Sequence, residues 1–303
     1  MDPRVALESA VIAHGLPRPL NVETAIRMEE VIRSEGALPL TTGILEGRIV
    51  CGMSESEIRT LGILDGVRKV SRRDLPVVVA RKENGATTVS SAIWIARRAG
   101  IRVMATGGIG GVHRRPAPDH AADRDVSADL IELARTSIAV VCSGPKAILD
   151  LPATREYLET LGITIVGYQT DEMPAFYSRT SGLPVDARCD TPSEVADIVR
   201  ARIELGLEGA ILVCVPVPGG DEIPPQEIHV PIQIALDEAE KAGIRAQELT
   251  PFLLDRLRRH TGERTVLANV SLLINNARVA ALVARELAAT RVLPSPPSNL
   301  ASS

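Results

Sequence analysis

Ile138 to Lys146 reads IAVVCSGPK: five small or β-branched apolar residues, a Ser-Gly-Pro turn and a lysine. An apolar run this short, with no polar residue alternating through it, predicts a strand buried on both faces. Runs of similar character stand at Pro76 to Ala80 (PVVVA), Ile101 to Ala105 (IRVMA), Ile163 to Gly167 (ITIVG) and Ala210 to Cys214 (AILVC). Segments with helical period accompany them at Thr87 to Arg98, Thr191 to Leu205 and Ile234 to Ala242, and Gly100, Gly206 and Gly243 stand where such helices stop. Strands covered on both faces need helices on both sides, so the alternation predicts a three-layer α/β/α domain. That single domain is expected to fill residues 1–288, mostly helical from about Glu227 to Leu287. Residues 289–303, which end in PSPPSNLASS, have the composition of a disordered tail.

Composition narrows the function. The 303 residues are 45% hydrophobic and 24% charged, a balance that supports a large core. A net charge of −4 and a pI near 5.8 give no basic footprint for a nucleic-acid polymer, and 2% aromatics are too few for a base-stacking platform. No apolar run reaches the roughly 20 residues of a membrane span, and the N-terminus lacks the order of a signal peptide, so a cytoplasmic protein is expected. Cys51, Cys142, Cys189 and Cys214 are scattered without CxxC spacing, which argues against a disulfide framework or a zinc site.

In an open α/β sheet, ligands bind beyond the carboxyl ends of the strands, and polar residues collect there. Thr106 to Arg114 reads TGGIGGVHR, either a nest of backbone N–H groups for a phosphate or a flexible turn. It matches neither GxxxxGK[ST] nor GxGxxG, so ATP, dinucleotides and a kinase are poorly supported. Asp125, Ser127 and Asp129 offer hard oxygen ligands for Mg²⁺ or Mn²⁺, although the same residues are ordinary helix caps and that use is commoner. Lys146 follows its strand directly. A lysine at the buried end of a sheet can become an amine nucleophile, although most lysines are solvated surface residues. Lys69, Arg72, Arg73 and Asp74 concentrate charge that suits a phosphate or simply a polar loop. Glu8, at the end of an apolar run, could serve as a general acid or as a structural hydrogen-bonding group.

Taken together, these segments resemble the pseudouridine-5′-phosphate glycosidases, the group with the indigoidine synthase A-like fold. The matching stretches are VALES (Val5 to Ser9), KVSRRDLP (Lys69 to Pro76), NGATTV (Asn84 to Val89), ATGGIGGVHR (Ala105 to Arg114), DVSADL (Asp125 to Leu130), GPKAILDL (Gly144 to Leu151), GYQTDEMPAFYSRTS (Gly167 to Ser181) and TPFLL (Thr250 to Leu254). The resemblance implies an α/β/α fold with a mixed central sheet and a homotrimer. It also implies the reaction pseudouridine 5′-phosphate + water ⇌ uracil + ribose 5-phosphate, with Mn²⁺ or Mg²⁺ as cofactor. By position, Lys146 matches the Schiff-base lysine, Glu8 the proton donor and Asp125 the metal-binding carboxylate. Lys69, Val89, Ser127 and Asp129 match substrate-contacting positions, Asn269 the asparagine that reads the base. Thr88, Thr106, Gly107, Gly108 and His113 lie in the matched segments beside them and are expected to line the substrate site.

The chemistry accounts for these residue types. A C-glycosidic bond has no heteroatom leaving group, so protonating a leaving atom cannot break it as in ordinary glycosides. An imine at C1′ of the ring-opened sugar provides another route: the electron-rich C5 of uracil attacks it in synthesis and leaves in the reverse direction, while Glu8 moves the proton. Three features depart from the family pattern. The stretch from His113 to Asp125 is longer than usual, Val215 stands where an asparagine is expected, and little chain precedes Glu8. The first two motivate an alternative: a C-ribosylating enzyme of secondary metabolism, joining ribose 5-phosphate to a larger electron-rich aromatic ring. A sugar-phosphate-binding regulator without catalysis is the other reading, and the joint presence of Lys146, Glu8 and Asp125 argues against it.

Overall fold

A computed structural model describes residues 2–114, 125–244 and 249–289. Four of the five apolar runs form neighbouring strands at the middle of one sheet: β6 (Val103–Ala105), β7 (Ala139–Cys142), β8 (Thr164–Tyr168) and β10 (Ile211–Cys214). The others are β1 (Arg4–Leu7), β2 (Leu38–Leu45), β3 (Arg48–Cys51), β4 (Arg68–Val70), β5 (Gly85–Thr87) and β9 (Ala187–Cys189). The order is β4-β5-β2-β1-β6-β7-β10-β8-β9, with β3 attached to β2. β2 runs antiparallel to β3 and β5 and parallel to β1; the remaining pairs are parallel. The sheet is therefore mixed.

The period of two sorts each central strand between two cores. Val5, Leu7, Val103, Ala105, Val141 and Val213 face one layer, formed with α1 (Leu20–Ser34), α7 (Pro192–Glu204), α8 (Pro225–Lys241), α9 (Leu249–Thr261) and α10 (Arg264–Ala288). Ala6, Met104, Val140 and Leu212 face the other, formed with α4 (Val89–Arg98), α5 (Ala128–Arg135) and α6 (Leu151–Thr160). Two further helices, α2 (Glu55–Ile63) and α3 (Leu75–Ala80), flank the end of the sheet that carries β4 and β5. By length and composition α10 could cross a membrane, but Ala277, Ala280, Ala281 and Val283 are fully buried against this fold.

The run Pro76 to Ala80 is helix α3, not the strand its β-branched residues predict. Ser71 and Asp74 form a capping box ahead of it, and Pro76, without an N–H to give a ladder, fits the first helical turn. Leu75 and Val78 are buried while Val77 and Val79 are 37% and 40% exposed, a period of three that no doubly covered strand could show. Of the predicted disordered tail, residues 290–303 lie outside the described residues, as do residues 115–124 of the long loop.

Candidate active site

Five strands deliver site residues from their carboxyl ends: Glu8 after β1, Lys69 in β4, Thr88 after β5, Thr106 after β6 and Lys146 after β7. Glu8 needs no long lead-in to fix it, because β1 lies inside the sheet with Leu7 in register with both Thr41 and Ala105. Beneath Glu8 and Thr88 a buried hydroxyl network ties three strands together. Ser9 N–H donates to Thr87 Oγ1 at 3.1 Å, Thr87 N–H donates to Ser9 Oγ at 2.9 Å, and Thr42 Oγ1 donates to the Leu7 carbonyl at 2.9 Å.

These residues open onto a cleft with two lobes that share Glu8, Lys69 and Lys146. The outer lobe, of about 280 Å³, adds Ser71, Arg73, Thr88, His113, Asp125, Ser127 and Asp129. The inner lobe, of about 60 Å³, adds His14, Gly107, Gly108, Phe176, Leu254, Asn269 and Leu273. Charges of both signs, hydroxyls and helix starts thus face one side of Lys146, and a more apolar wall faces the other. Two of the expected residues do not line it. Thr106 is buried and donates its hydroxyl to Glu8 Oε1, and Val89 is 1% exposed and packs in the core. Val215 packs in the α10-side core and does not line either lobe.

The glycine-rich turn is neither a full anion nest nor a loose turn. Gly110 N–H donates to Asp129 Oδ2 at 2.9 Å, Ile109 N–H to the Gly144 carbonyl and Val112 N–H to Thr154 Oγ1, so these amides are already bonded. Its glycines answer to crowding: a Cβ on Gly108 would sit 2.6 Å from the Phe176 ring, and one on Gly110 would sit 2.2 Å from Ser127 Oγ. Asp129 accepts from Ser90 N–H as well, clamping the starts of α4 and α5 to the turn, while Ser127 caps α5. Helix capping and cleft lining are therefore both true of this segment.

The long loop leaves Asp125 in register. His113 N–H donates to the Asp125 carbonyl at 3.0 Å and Ser127 N–H to the Gly111 carbonyl at 3.0 Å, pairing the two flanks of residues 115–124. This pairing brings His113 Nε2 to 4.0 Å from Asp125 Oδ2. Among the described residues no three His, Cys, Asp or Glu side chains gather into a metal cage. A half-exposed carboxylate with an imidazole beside it suits a divalent cation that keeps much of its water.

Electrostatics separate the groups. Burial pushes the Glu8 carboxyl above its ordinary value, opposed by the Lys146 charge and the Thr106 hydrogen bond. Burial and then Lys146 push the Lys69 ammonium down. Burial also lowers His113, against Asp125. The chain has only four lysines, and the two outside the cleft, Lys82 and Lys241, are exposed.

Of the cationic run one arginine reaches the cleft, and two further contributors, Arg114 and Asn276, escape sequence reasoning. Arg72 is spent on Glu132 at 2.8 Å, leaving Arg73 as the arginine of that pair that faces the cleft. Arg114 donates to the Leu149 and Ala147 carbonyls, bracing the chain beyond Lys146. Asn276, fully buried on α10, donates Nδ2 to the Thr106 carbonyl at 2.9 Å and to Ser143 Oγ at 3.1 Å, tying together the turns that follow β6 and β7.

Comparison with known proteins matches residues 1–286 to the family model of indigoidine synthase A like proteins. A pseudouridine-5′-phosphate glycosidase of Geobacillus kaustophilus is 52% identical over 94% of this chain and 93% of its own length. One from Methylobacterium nodulans is 51% identical over 95% and 85%. Among solved structures, an indigoidine synthase A-like protein of Thermotoga maritima superposes with a TM-score of 0.86 at 42% identity, covering 94% of this chain and 93% of that one. The prealnumycin C-glycosynthase AlnA, in complex with ribulose 5-phosphate, superposes with a TM-score of 0.84 at 38% identity over 94% and 91%.

Proposed function

The chain belongs to the indigoidine synthase A like family, and from that premise we propose that it cleaves and forms the C1′–C5 bond of pseudouridine 5′-phosphate, interconverting it and water with uracil and ribose 5-phosphate. The observation that carries the reading is the place of Lys146 beside Glu8, between a lobe rich in charges of both signs and hydroxyls and a more apolar one. The phosphate goes to Lys69, Arg73, Thr88 and Ser127, the base to the inner lobe, and C1′ to Lys146. In cleavage, the Lys146 nitrogen attacks C1′ as the C1′–O4′ bond breaks and O4′ takes up a proton, which opens the sugar; after the amine loses its proton, its lone pair pushes toward C1′ as the C1′–C5 bond breaks. The bonding pair stays with the ring, which has been protonated at C5, and water then releases ribose 5-phosphate from the imine. Glu8, held as an acid by burial and steered by Thr106, is the proton donor.

A divalent cation, Mn²⁺ or Mg²⁺, would be held by Asp125 with His113 beside it and would supply positive charge to substrate oxygens. The assembly is a homotrimer, a reading supported by exposed Val230, Ile234 and Leu267 on two helices joined by the Arg264–Glu227 ion pair. We assign the reaction to the cytoplasm, because a phosphorylated sugar does not cross a membrane unaided. Uracil is preferred to a larger aromatic acceptor, since relatives about 50% identical are named pseudouridine-5′-phosphate glycosidases and Val215, whose substitution motivated the larger ring, lines neither lobe. Borohydride reduction in the presence of ribose 5-phosphate, followed by peptide mass mapping, should leave a pentose phosphate adduct on Lys146. An enzyme that turns over fully as Lys146→Ala and takes no adduct would end this reading.

A further inference from the structure

Lys69 is fixed by the ladder between β4 and β5, in register with Ala86, but that ladder stops at Val70. The chain beyond it still places Ser71 and Arg73 along the outer lobe. The residue between them, Arg72, is directed elsewhere. Its N–H donates to Ser90 Oγ on α4 at 3.3 Å, and its guanidinium donates to Glu132 Oε2 on α5 at 2.8 Å. Glu132 is buried, and its Oε1 accepts the Thr136 hydroxyl at 3.2 Å. One turn earlier on the same helix, Asp129 accepts Ser90 N–H and Gly110 N–H. Helix α5 thus carries two carboxylates, three residues apart on one face, that hold the elements around the lobe.

A buried ion pair is weak evidence for stability, because desolvation offsets much of its attraction and an apolar pair can fill the same place as well. What an apolar pair does not supply is direction. A charge-assisted hydrogen bond on Arg72 has fixed geometry, and it fixes the residue that stands between Ser71 and Arg73, hence the way both of them face. Resting on the reading of the outer lobe as the phosphate site, we propose that Glu132 is a positioning residue for the sugar phosphate: through Arg72 it holds Ser71 and Arg73 toward the phosphate, and touches no substrate atom itself. The two arginines of the run then have separate tasks. Arg73 meets the ligand and Arg72 aims it.

The test uses the full-length enzyme and compares borohydride trapping on Lys146 by ribose 5-phosphate and by ribose. Their ratio reads the phosphate alone. The wild type should favour ribose 5-phosphate by about 100-fold or more, the scale of two hydrogen bonds to a charged group. Glu132→Leu fills the buried place and frees Arg72, whose side chain is 44% exposed and can turn to water, so the fold should survive. It should cut the ratio by at least about 10-fold, since misplacing positioning groups by about 1 Å costs up to about 100-fold, while ribose trapping and the melting temperature stay near wild type. Adding Arg72→Met should change little further, because the two residues act as a unit. A ratio kept by Glu132→Leu overturns the proposal. So does a loss that multiplies on adding Arg72→Met, which would make Arg72 itself a phosphate ligand. If Glu132→Leu does not fold, the double variant, an apolar pair, carries the test: its ratio should be low with ribose trapping intact, and a wild-type ratio overturns the role of Glu132. A wild type that traps ribose as readily as ribose 5-phosphate instead sinks the reading of the outer lobe.

Discussion

Asn276→Leu should cost both stability and rate, although Asn276 reaches neither lobe of the cleft. Its Nδ2 serves the Thr106 carbonyl at 2.9 Å and Ser143 Oγ at 3.1 Å, with the Gly107 carbonyl more distant at 3.4 Å. Leucine has nearly the same shape and fills the space, so the loss is polar: two buried groups lose their donor or acceptor, at about 1–3 kcal/mol each when unsatisfied. Ser143 can rotate its hydroxyl to another acceptor, which places the sum at about 2–4 kcal/mol. The rate effect follows from what the two turns carry. Thr106 orients Glu8, and three residues after Ser143 stands Lys146, so uncoupling the turns shifts acid and amine relative to one another. A displacement near 1 Å is worth about 100-fold in rate. Urea unfolding followed by circular dichroism measures the first quantity, and release of uracil from pseudouridine 5′-phosphate at saturating substrate measures the second. The variant should lose kcat more than KM, because the phosphate side of the cleft is untouched. An unfolding free energy within about 0.5 kcal/mol of wild type, with kcat unchanged, would refute the strut.

Glu8→Gln should abolish turnover yet raise the melting temperature at pH 8. Burial lifts the folded pKa of Glu8 above the unfolded value, so its contribution to stability is full below the unfolded value and is lost as pH rises through the folded one. The difference between the two proteins should therefore vanish in melts below about pH 4, and a variant less stable at pH 8 than at pH 4 relative to wild type would contradict the sign. Lys69→Met should raise KM for the phosphorylated substrate and also stabilise the fold at pH 7, since burial depresses the folded pKa of Lys69; calorimetry showing destabilisation would argue against it. Gly108→Ala, whose Cβ would meet the Phe176 ring at 2.6 Å and the Gly144 carbonyl at 2.9 Å, should lower unfolding free energy by about 1–3 kcal/mol, a loss readable in urea. Asp125→Asn should abolish Mn²⁺ binding seen by electron paramagnetic resonance, whereas an unchanged spectrum would move the cation elsewhere.

The central strands were legible because a doubly buried parallel strand has no polar residue to interrupt it: β6, β7, β8 and β10 follow from Ile101 to Ala105, Ile138 to Cys142, Ile163 to Gly167 and Ala210 to Cys214. The same signal misreads Pro76 to Ala80, and only the Ser71–Asp74 capping box ahead of it marks the helix. β4, β5 and β9, of three residues each, are too short to carry a period and exist because neighbours pair with them. In the site, Lys146 and Glu8 were visible from their places at the ends of apolar runs. Arg73 was visible as part of the cationic run Lys69 to Asp74, but that it and not Arg72 faces the cleft was not, nor was His14, since which side chain turns inward is settled by packing. Asn276 did leave a trace. It stands seven residues from Asn269, two turns of the same helix, and two asparagines on the mostly apolar buried face of that helix would be costly without partners.

Composition holds a further clue to Lys146. The chain carries 34 lysines and arginines, of which only four are lysines. A chain that meets nearly all its needs for positive charge with guanidinium has two amines in one cleft, at Lys69 and Lys146. Arginine would serve a phosphate at least as well, through its bidentate fork, and packs more readily beside carboxylates. What arginine cannot do in a protein is give up its proton and attack a carbon. A lysine at position 146 is therefore poorly accounted for by charge alone and well accounted for by bond formation. The distinction can be measured: Lys146→Arg should retain affinity for ribose 5-phosphate within about threefold, the scale of a retained surface charge, while losing both the borohydride adduct and turnover. If Lys146→Arg still turned over, the amine would be a binding group and the carbon–carbon bond would have to be broken some other way.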